Sequence, residues 1–377
     1  MIRTTLAAAL LAAGSTGFAA EPIRIANLVE LSGAGATSGT NFRNGVELAV
    51  KEINASGGIL GRPIETSTSD TQSNPGVAKG LAQKAVDDNV FAVFGPVFSG
   101  SIMVSMAETR RAEIPNFTGG EAAAITKQGN PYIFRTSFTQ TTAMPKVARY
   151  IASNLKAKTV AVLYVNNDFG KGGRDSFAKA AQALGLSVAA DISTESGQVD
   201  WSAPVLKAKQ SNADVIFVYT NEEESARALR ELKKQGVNKP IVGETTLTGQ
   251  KVIELAGDAA NGAVAHVGLT VDAPNPNMLR FKAKFYEAYK YISDHNGIKG
   301  YTGVYILKAG IEKAGKLDRK AVAQALHGLN ISAAKNPGVL MDVSVDANGD
   351  LDRESYIVEV KEGRQVVKET LPALAKK

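Results

Sequence analysis

The chain has no cysteine in 377 residues, which excludes structural disulfides and cysteine-based metal or redox sites. Its stability has to come from packed cores. Histidine is scarce: His266, His295 and His327 are far apart and form no His-x-x-x-His array. Zinc hydrolysis and histidine-based triads have almost no raw material here. Charge of one sign is not concentrated either. The 43 basic and 37 acidic side chains are dispersed, with no run of five like charges to form a nucleic-acid arm, so a formal charge of +6 says little about a partner. No segment reaches about 20 uninterrupted apolar residues, the length that crosses roughly 30 Å of hydrocarbon.

The amino terminus carries Arg3, an uncharged run from Thr4 to Leu11, and then Gly17-Phe18-Ala19, a small-x-small cleavage pattern. Residues 1–19 are expected to be a secretory signal peptide rather than an anchor. Its removal takes away one charged side chain and leaves a soluble, exported chain of 358 residues at +5, long enough for two domains.

Strand-like apolar runs alternate with helix-like ones almost throughout, the pattern of α/β layers on mostly parallel sheets. Strands are expected at Ile23 to Val29, Ile64 to Ser69, Phe91 to Phe94 and Ile114 to Phe117. A helix is expected from Asn41 to Ala55, with Phe42, Val46, Ala49 and Ile53 on one face and Gly57-Gly58 ending it. Another follows Asn74-Pro75 and buries Val77, Leu81 and Ala85. A second α/β set has strands at Val160 to Val165, Leu186 to Ile192, Val215 to Tyr219 and Ile241-Val242. Helical segments follow at Phe281 to Tyr289, Tyr301 to Ala314 and Arg319 to Leu329. Strand-like Val339 to Val345, Tyr356 to Val360 and Gln365 to Lys368 close the chain.

Within this frame, Ile25 to Gly39 reads as a strand running into a glycine-rich polar loop, followed by Asn44 to Gly58 and Gly61-Arg62-Pro63. That stretch resembles the opening of the periplasmic binding proteins that serve branched-chain amino acid ABC importers. The resemblance covers essentially the whole chain after the leader. It implies two Rossmann-like lobes with parallel-type sheets, the type I periplasmic binding fold. The lobes would be residues 20–140 plus 268–343 and residues 141–267 plus 344–377, joined by a three-segment hinge near 138–142, 266–270 and 341–346. It also implies a monomer that binds a small amino acid or related amine-bearing metabolite without chemistry, catalytic residues, cofactor or metal, and that docks on a membrane permease.

Ligands of open α/β sheets sit beyond the carboxyl ends of strands, where helix amino termini offer free N–H groups. Phe91 to Phe94 leads into Ser99-Gly100-Ser101, two hydroxyls around a glycine that lets a carboxylate approach. The resemblance gives Ser99 the carboxylate of the bound solute, and gives Gly119 and Gly120 backbone contacts to it. Glu121 stands where relatives commonly have Thr or Ser. Either it points away at a helix start, or the solute carries extra donor groups. In the second set Phe169 matches an aromatic lid, and Asn221 or Glu222 reaches the cleft while the rest of Glu222-Glu223-Glu224 forms a solvated helix start. Glu244 matches the glutamate that pairs with the ligand ammonium. Ser38 replaces an aromatic of some relatives and leaves a more open or more polar pocket.

Other readings stay open at this point. Gly33-Ala-Gly35-Ala-Thr-Ser-Gly39 invites comparison with a dinucleotide loop, but Gly-x-Gly-x-x-Gly needs glycine at position 38, which is Ser38. Asp346-Ala-Asn-Gly-Asp350 lacks the remainder of a calcium loop and reads as a turn between strands. Glu121, Glu222 and Glu244 could be offered as glycosidase carboxylates, although nothing in the sequence sets their separation. A binding protein that delivers its ligand to a signalling receptor would use the same residues.

Overall fold

The computed structural model describes residues 21–373, so the leader expected at residues 1–19 lies outside the described residues. The first α/β set comprises β1 (Ile23–Val29), α1 (Ala36–Ala55), β2 (Ile64–Asp70), α2 (Pro75–Asp87), β3 (Ala92–Phe94), α3 (Ser99–Arg111), β4 (Asn116–Thr118) and β5 (Ile133–Arg135). Its five strands are parallel, in the order β2-β1-β3-β4-β5. Except for Arg24, β1 is buried throughout, which is why it reads as a nearly unbroken apolar run.

The second set follows α4 (Gln140–Arg149) with β6 (Thr159–Val165), α5 (Asp168–Ala183), β7 (Ser187–Thr194), α6 (Ser202–Gln210), β8 (Val215–Tyr219), α7 (Glu222–Lys234), β9 (Ile241–Glu244), α8 (Gln250–Ala256) and β10 (Val264–Val267). Next come α9 (Pro276–Tyr289), α10 (His295–Ala314), α11 (Arg319–Leu326), β11 (Asn330–Ile331), β12 (Val343–Val345), β13 (Leu351–Asp352), β14 (Ser355–Lys361) and β15 (Arg364–Leu371). The second sheet runs β15-β14-β10-β9-β8-β6-β7, with β14 and β15 antiparallel.

The chain leaves the first sheet after Arg135, leaves the second after Val267, and enters it for the last time at Ser355. This last passage lies beyond the expected 341–346, because β11, β12 and β13 first form a small antiparallel sheet. Val343, Val345 and Leu351 on that sheet pack into the core shared with α1 and α10. Residues 337–339 form a single helical turn rather than the start of a strand.

Two further differences from expectation have local causes. Helix α1 starts five residues early, because the turn Gly33–Gly35 leads straight into it. In α2 the fully buried residues are Ala78, Ala82 and Ala85, with Val77 and Leu81 only half-buried. The alanine face lets the helix lie close on Ala26, Leu28 and Val93 of the sheet.

Helices α1 and α10 approach backbone to backbone at their glycines. A Cβ on Gly45 would fall 2.0 Å from Gly297 O, and one on Gly300 would fall 2.1 Å from Phe42 O. This close crossing fixes the amino terminus of α10, and with it Lys299, above the carboxyl ends of the first sheet.

Candidate functional site

A cavity of about 250 Å3 opens where the amino termini of α3, α5, α7 and α10 converge. It is smaller than the roughly 300–1,000 Å3 usual for drug-sized ligands, and suits one small solute. Ser38, Ser99, Gly100, Ser101, Gly119, Gly120, Glu121, Phe169, Asn221 and Glu222 all line it. The eleventh expected residue, Glu244, stands one layer back.

At the α3 end, Ser99 Oγ accepts a hydrogen bond from Ala122 N at 3.2 Å, leaving its own proton free to donate. Ser101 is 1 % exposed, and its hydroxyl has no partner among the described residues. A buried hydroxyl without a partner costs on the order of 1–3 kcal/mol, so a solute acceptor here is favoured. Across the cleft stands α5: a Cβ on Gly100 would lie 3.4 Å from Asp168 Oδ2.

The turn after β4 is held by Arg135, which is fully buried. Its guanidinium donates to Asp350 Oδ1 at 2.6 Å, to Ala122 O at 3.0 Å and to Gly120 O. Asp350 ends the 346–350 turn, which joins β12 to β13. Ser137 Oγ also donates to Gly120 O, at 2.9 Å. The Gly120 carbonyl is thereby fixed, and the Gly119 carbonyl accepts from Lys299 Nζ at 3.2 Å.

Glu121 faces inward. Lys299 Nζ donates to its Oε1 and Tyr219 OH to its Oε2, each at 3.2 Å. Burial, and then the neighbouring charge of Glu244, push its carboxyl up to about 7 against the pull of Lys299. Glu244, 1 % exposed, accepts from Thr245 N at 2.6 Å and Thr245 Oγ1 at 2.7 Å. His266 Nδ1 lies 3.1 Å from Glu244 Oε1. Burial, helped by the charge of Lys146, pushes His266 down to about 3, so this contact joins a neutral imidazole to the carboxylate.

Two of the three acids that open α7 are not part of a solvated helix start, and only Glu223 stays partly exposed. Glu222 and Glu224 are 5 % and 2 % exposed. Glu224 Oε2 accepts from both Asn221 N and Asn221 Nδ2 at 3.1 Å, so Asn221 and Glu224 close the first turn of the helix. Glu222 projects to the cavity, where Asn296 Nδ2 donates to its Oε1 at 3.2 Å. Burial raises its carboxyl, with Ser38 and Lys299 among the groups that oppose the rise. Glu222, Asp294 and His295 bring ligand atoms within 4.8 Å of one another, but Asp294 is committed to capping α10, accepting from Asn296 N at 2.7 Å and Gly297 N at 3.2 Å. Phe169 stacks on Tyr219 with ring centroids 4.2 Å apart, and the Tyr219 ring fills the space over Gly173.

Sequence reasoning missed Lys299, His295, Asn296, Asn167 and Thr246, all of which line the cavity. For Lys299 a signal existed. It is the one charged residue between Asp294 and Lys308, in a helix segment that is buried almost end to end.

Residues 22–365 match the family model described as "Periplasmic binding protein". The chain belongs to the periplasmic binding protein family. Its fold is the type I fold of that family, whose members bind solutes for ABC importers. The chain is 29 % identical over 347 residues to a Leu/Ile/Val-binding protein of Rhizobium johnstonii, covering 92 % of this chain and 93 % of that one. It is also 29 % identical over 362 residues to a leucine-, isoleucine-, valine-, threonine- and alanine-binding protein of Pseudomonas aeruginosa, covering 94 % of each. Among solved structures, the Streptococcus pneumoniae branched-chain amino acid binding protein LivJ, in complex with isoleucine, superposes with a TM-score of 0.83 at 25 % identity, covering 93 % of this chain and 99 % of that one. A solute-binding protein of R. palustris, in complex with benzoate, gives a TM-score of 0.86 at 22 % identity, covering 94 % and 97 %, and shares the fold.

Proposed function

We propose that this periplasmic binding protein captures an amino acid, or a related polar or amine-bearing small molecule, between its two lobes and delivers it to the permease of an ABC importer. The lobes are the two sheets with their helices, and the three passages between them act as a hinge. The chain acts as a monomer in the periplasm after loss of its leader. Ser99, Gly100 and Ser101 take the solute carboxylate. Ser38, Gly119, Gly120, Phe169, Asn221 and Glu222 shape the remainder, with Glu121 and Glu244 setting the charge. The observation that supports this reading is that one small cavity is walled from the carboxyl ends of both sheets and edged by a buried, unpartnered serine hydroxyl. A thermal-shift screen of amino acids, small carboxylates and amides tests it. A true ligand at about 100 times its Kd adds about 2.7 kcal/mol to folded-state stability. Complete indifference to the screen would count against solute capture.

A further inference from the structure

Lys299 is the one lysine or arginine among the residues lining the cavity, and it comes from the chain itself. It is held in place from two sides. Its Nζ donates to Gly119 O and to Glu121 Oε1, both at 3.2 Å, with the side chain 4 % exposed. Gly120, the next residue along that turn, packs on the other side against Ser99: a Cβ there would lie 3.1 Å from Ser99 Oγ. The ammonium of Lys299 and the hydroxyl of Ser99 therefore flank the same pair of glycines. A carboxylate seated on Ser99, Gly100 and the unpartnered Ser101 lies beside a fixed positive charge.

In an α-amino acid the ammonium is separated from the carboxylate by a single carbon, so it needs acceptors next to this seat. The inward-facing acceptors there are already engaged, and the Asp168 carboxylate across Gly100 is exposed. Gly119 O and Glu121 Oε1 hold Lys299, Glu121 Oε2 accepts from Tyr219 OH, and Glu244 is closed by Thr245. Glu222 is different. It projects from α7, in the other lobe, and no lysine or arginine bonds to it among the described residues. Its nearest basic neighbour among the described residues is His295, whose Nε2 stands 3.8 Å away. Burial holds that imidazole well below its ordinary range, so it is neutral at physiological pH, and the positive charge that Glu222 feels is that of Lys299, which does not bond to it.

We infer that Lys299 is a tethered ammonium occupying the place of a solute α-ammonium, so that the solute is a small carboxylate without an α-amino group, bearing a hydrogen-bond donor at its far end for Glu222. This rests on the capture reading and narrows its solute class. The test is calorimetry on the intact mature protein with leucine, its 2-oxo acid 4-methyl-2-oxopentanoate, pentanoate and 5-aminopentanoate. Like charges brought together cost several kcal/mol, so the oxo acid should bind about a hundredfold more tightly than leucine. In the parent, 5-aminopentanoate should outbind pentanoate, and Glu222→Gln should erase that advantage. Lys299→Met should weaken every acid and close the gap to leucine. If that variant fails to fold, the comparison in the parent decides. Leucine binding as tightly as its oxo acid, or failure of every α-ammonium-free acid to bind, overturns the inference. Tight leucine binding with lobe closure leaves solute capture standing. Indifference to these four solutes and to the wider amino-acid screen removes both.

Discussion

Replacing Glu121 by glutamine isolates the charge at the centre of the site. In the folded protein this carboxyl keeps its proton to about 7, whereas the exposed side chain releases it near 4.5. Between those values the unfolded chain has ionised and the folded chain has not. The folded state then binds more protons, and stability falls as pH rises through the window. Below 4.5 both states are protonated and above 7 both are ionised, so the contribution is level on either side. One pKa unit is worth about 1.4 kcal/mol, so from about pH 5 to about pH 7.5 Glu121 removes roughly 2 kcal/mol. Glu30 and Asp294 are also pushed up to about 7, chiefly by burial, and slope the same way, but they are common to both proteins and cancel in the comparison. Urea unfolding of parent and Glu121→Gln at the two pH values should show the variant losing less stability than the parent by that amount. Parallel losses would refute the account of Glu121 as a carboxyl burdened by burial and by Glu244.

Three further outcomes follow from the same geometry. Gly173→Ala would place a Cβ 1.9 Å from the Tyr219 ring, so it should destabilise by about 1–3 kcal/mol and weaken solute binding by displacing the hydroxyl from Glu121, measured by unfolding and calorimetry together. Arg135→Met strands Asp350 and the carbonyls of Gly120 and Ala122, and should cost about 3–5 kcal/mol, a loss visible in urea unfolding. Glu244→Gln should cost about 1–3 kcal/mol through its bonds to Thr245 while leaving the affinity ratio of amine-bearing to amine-free solutes unchanged; a shift in that ratio on calorimetry would return Glu244 to direct contact with an ammonium.

The strand-to-loop-to-helix order was legible because it is local. Apart from Arg24, β1 is buried and reads as a mostly apolar run, and the hydroxyls of Ser99 and Ser101 follow a strand end where an anion site belongs. What escaped is long-range. Lys299 meets Glu121 across 178 residues of sequence, through a helix crossing set by Gly45 and Gly300. The acidic start of α7 looked solvated because three adjacent glutamates usually are. Burial of Glu222 and Glu224 needs the opposite lobe and the turn at Gly197, whose N–H donates to Glu224 Oε1. Glu244 was correctly seen at a strand end, whereas the contacts of its carboxylate with Thr245 beside it and His266 on the neighbouring strand were not legible.

The central claim is that two lobes shut on a solute, and small-angle scattering of the mature protein tests it most directly. With the screened ligand at saturation the radius of gyration should fall as the three passages between the sheets bend and the population shifts to the closed arrangement, in which Asn296 bonds to Glu222 and Tyr219 to Glu121. An identical profile with and without saturating ligand would contradict the account.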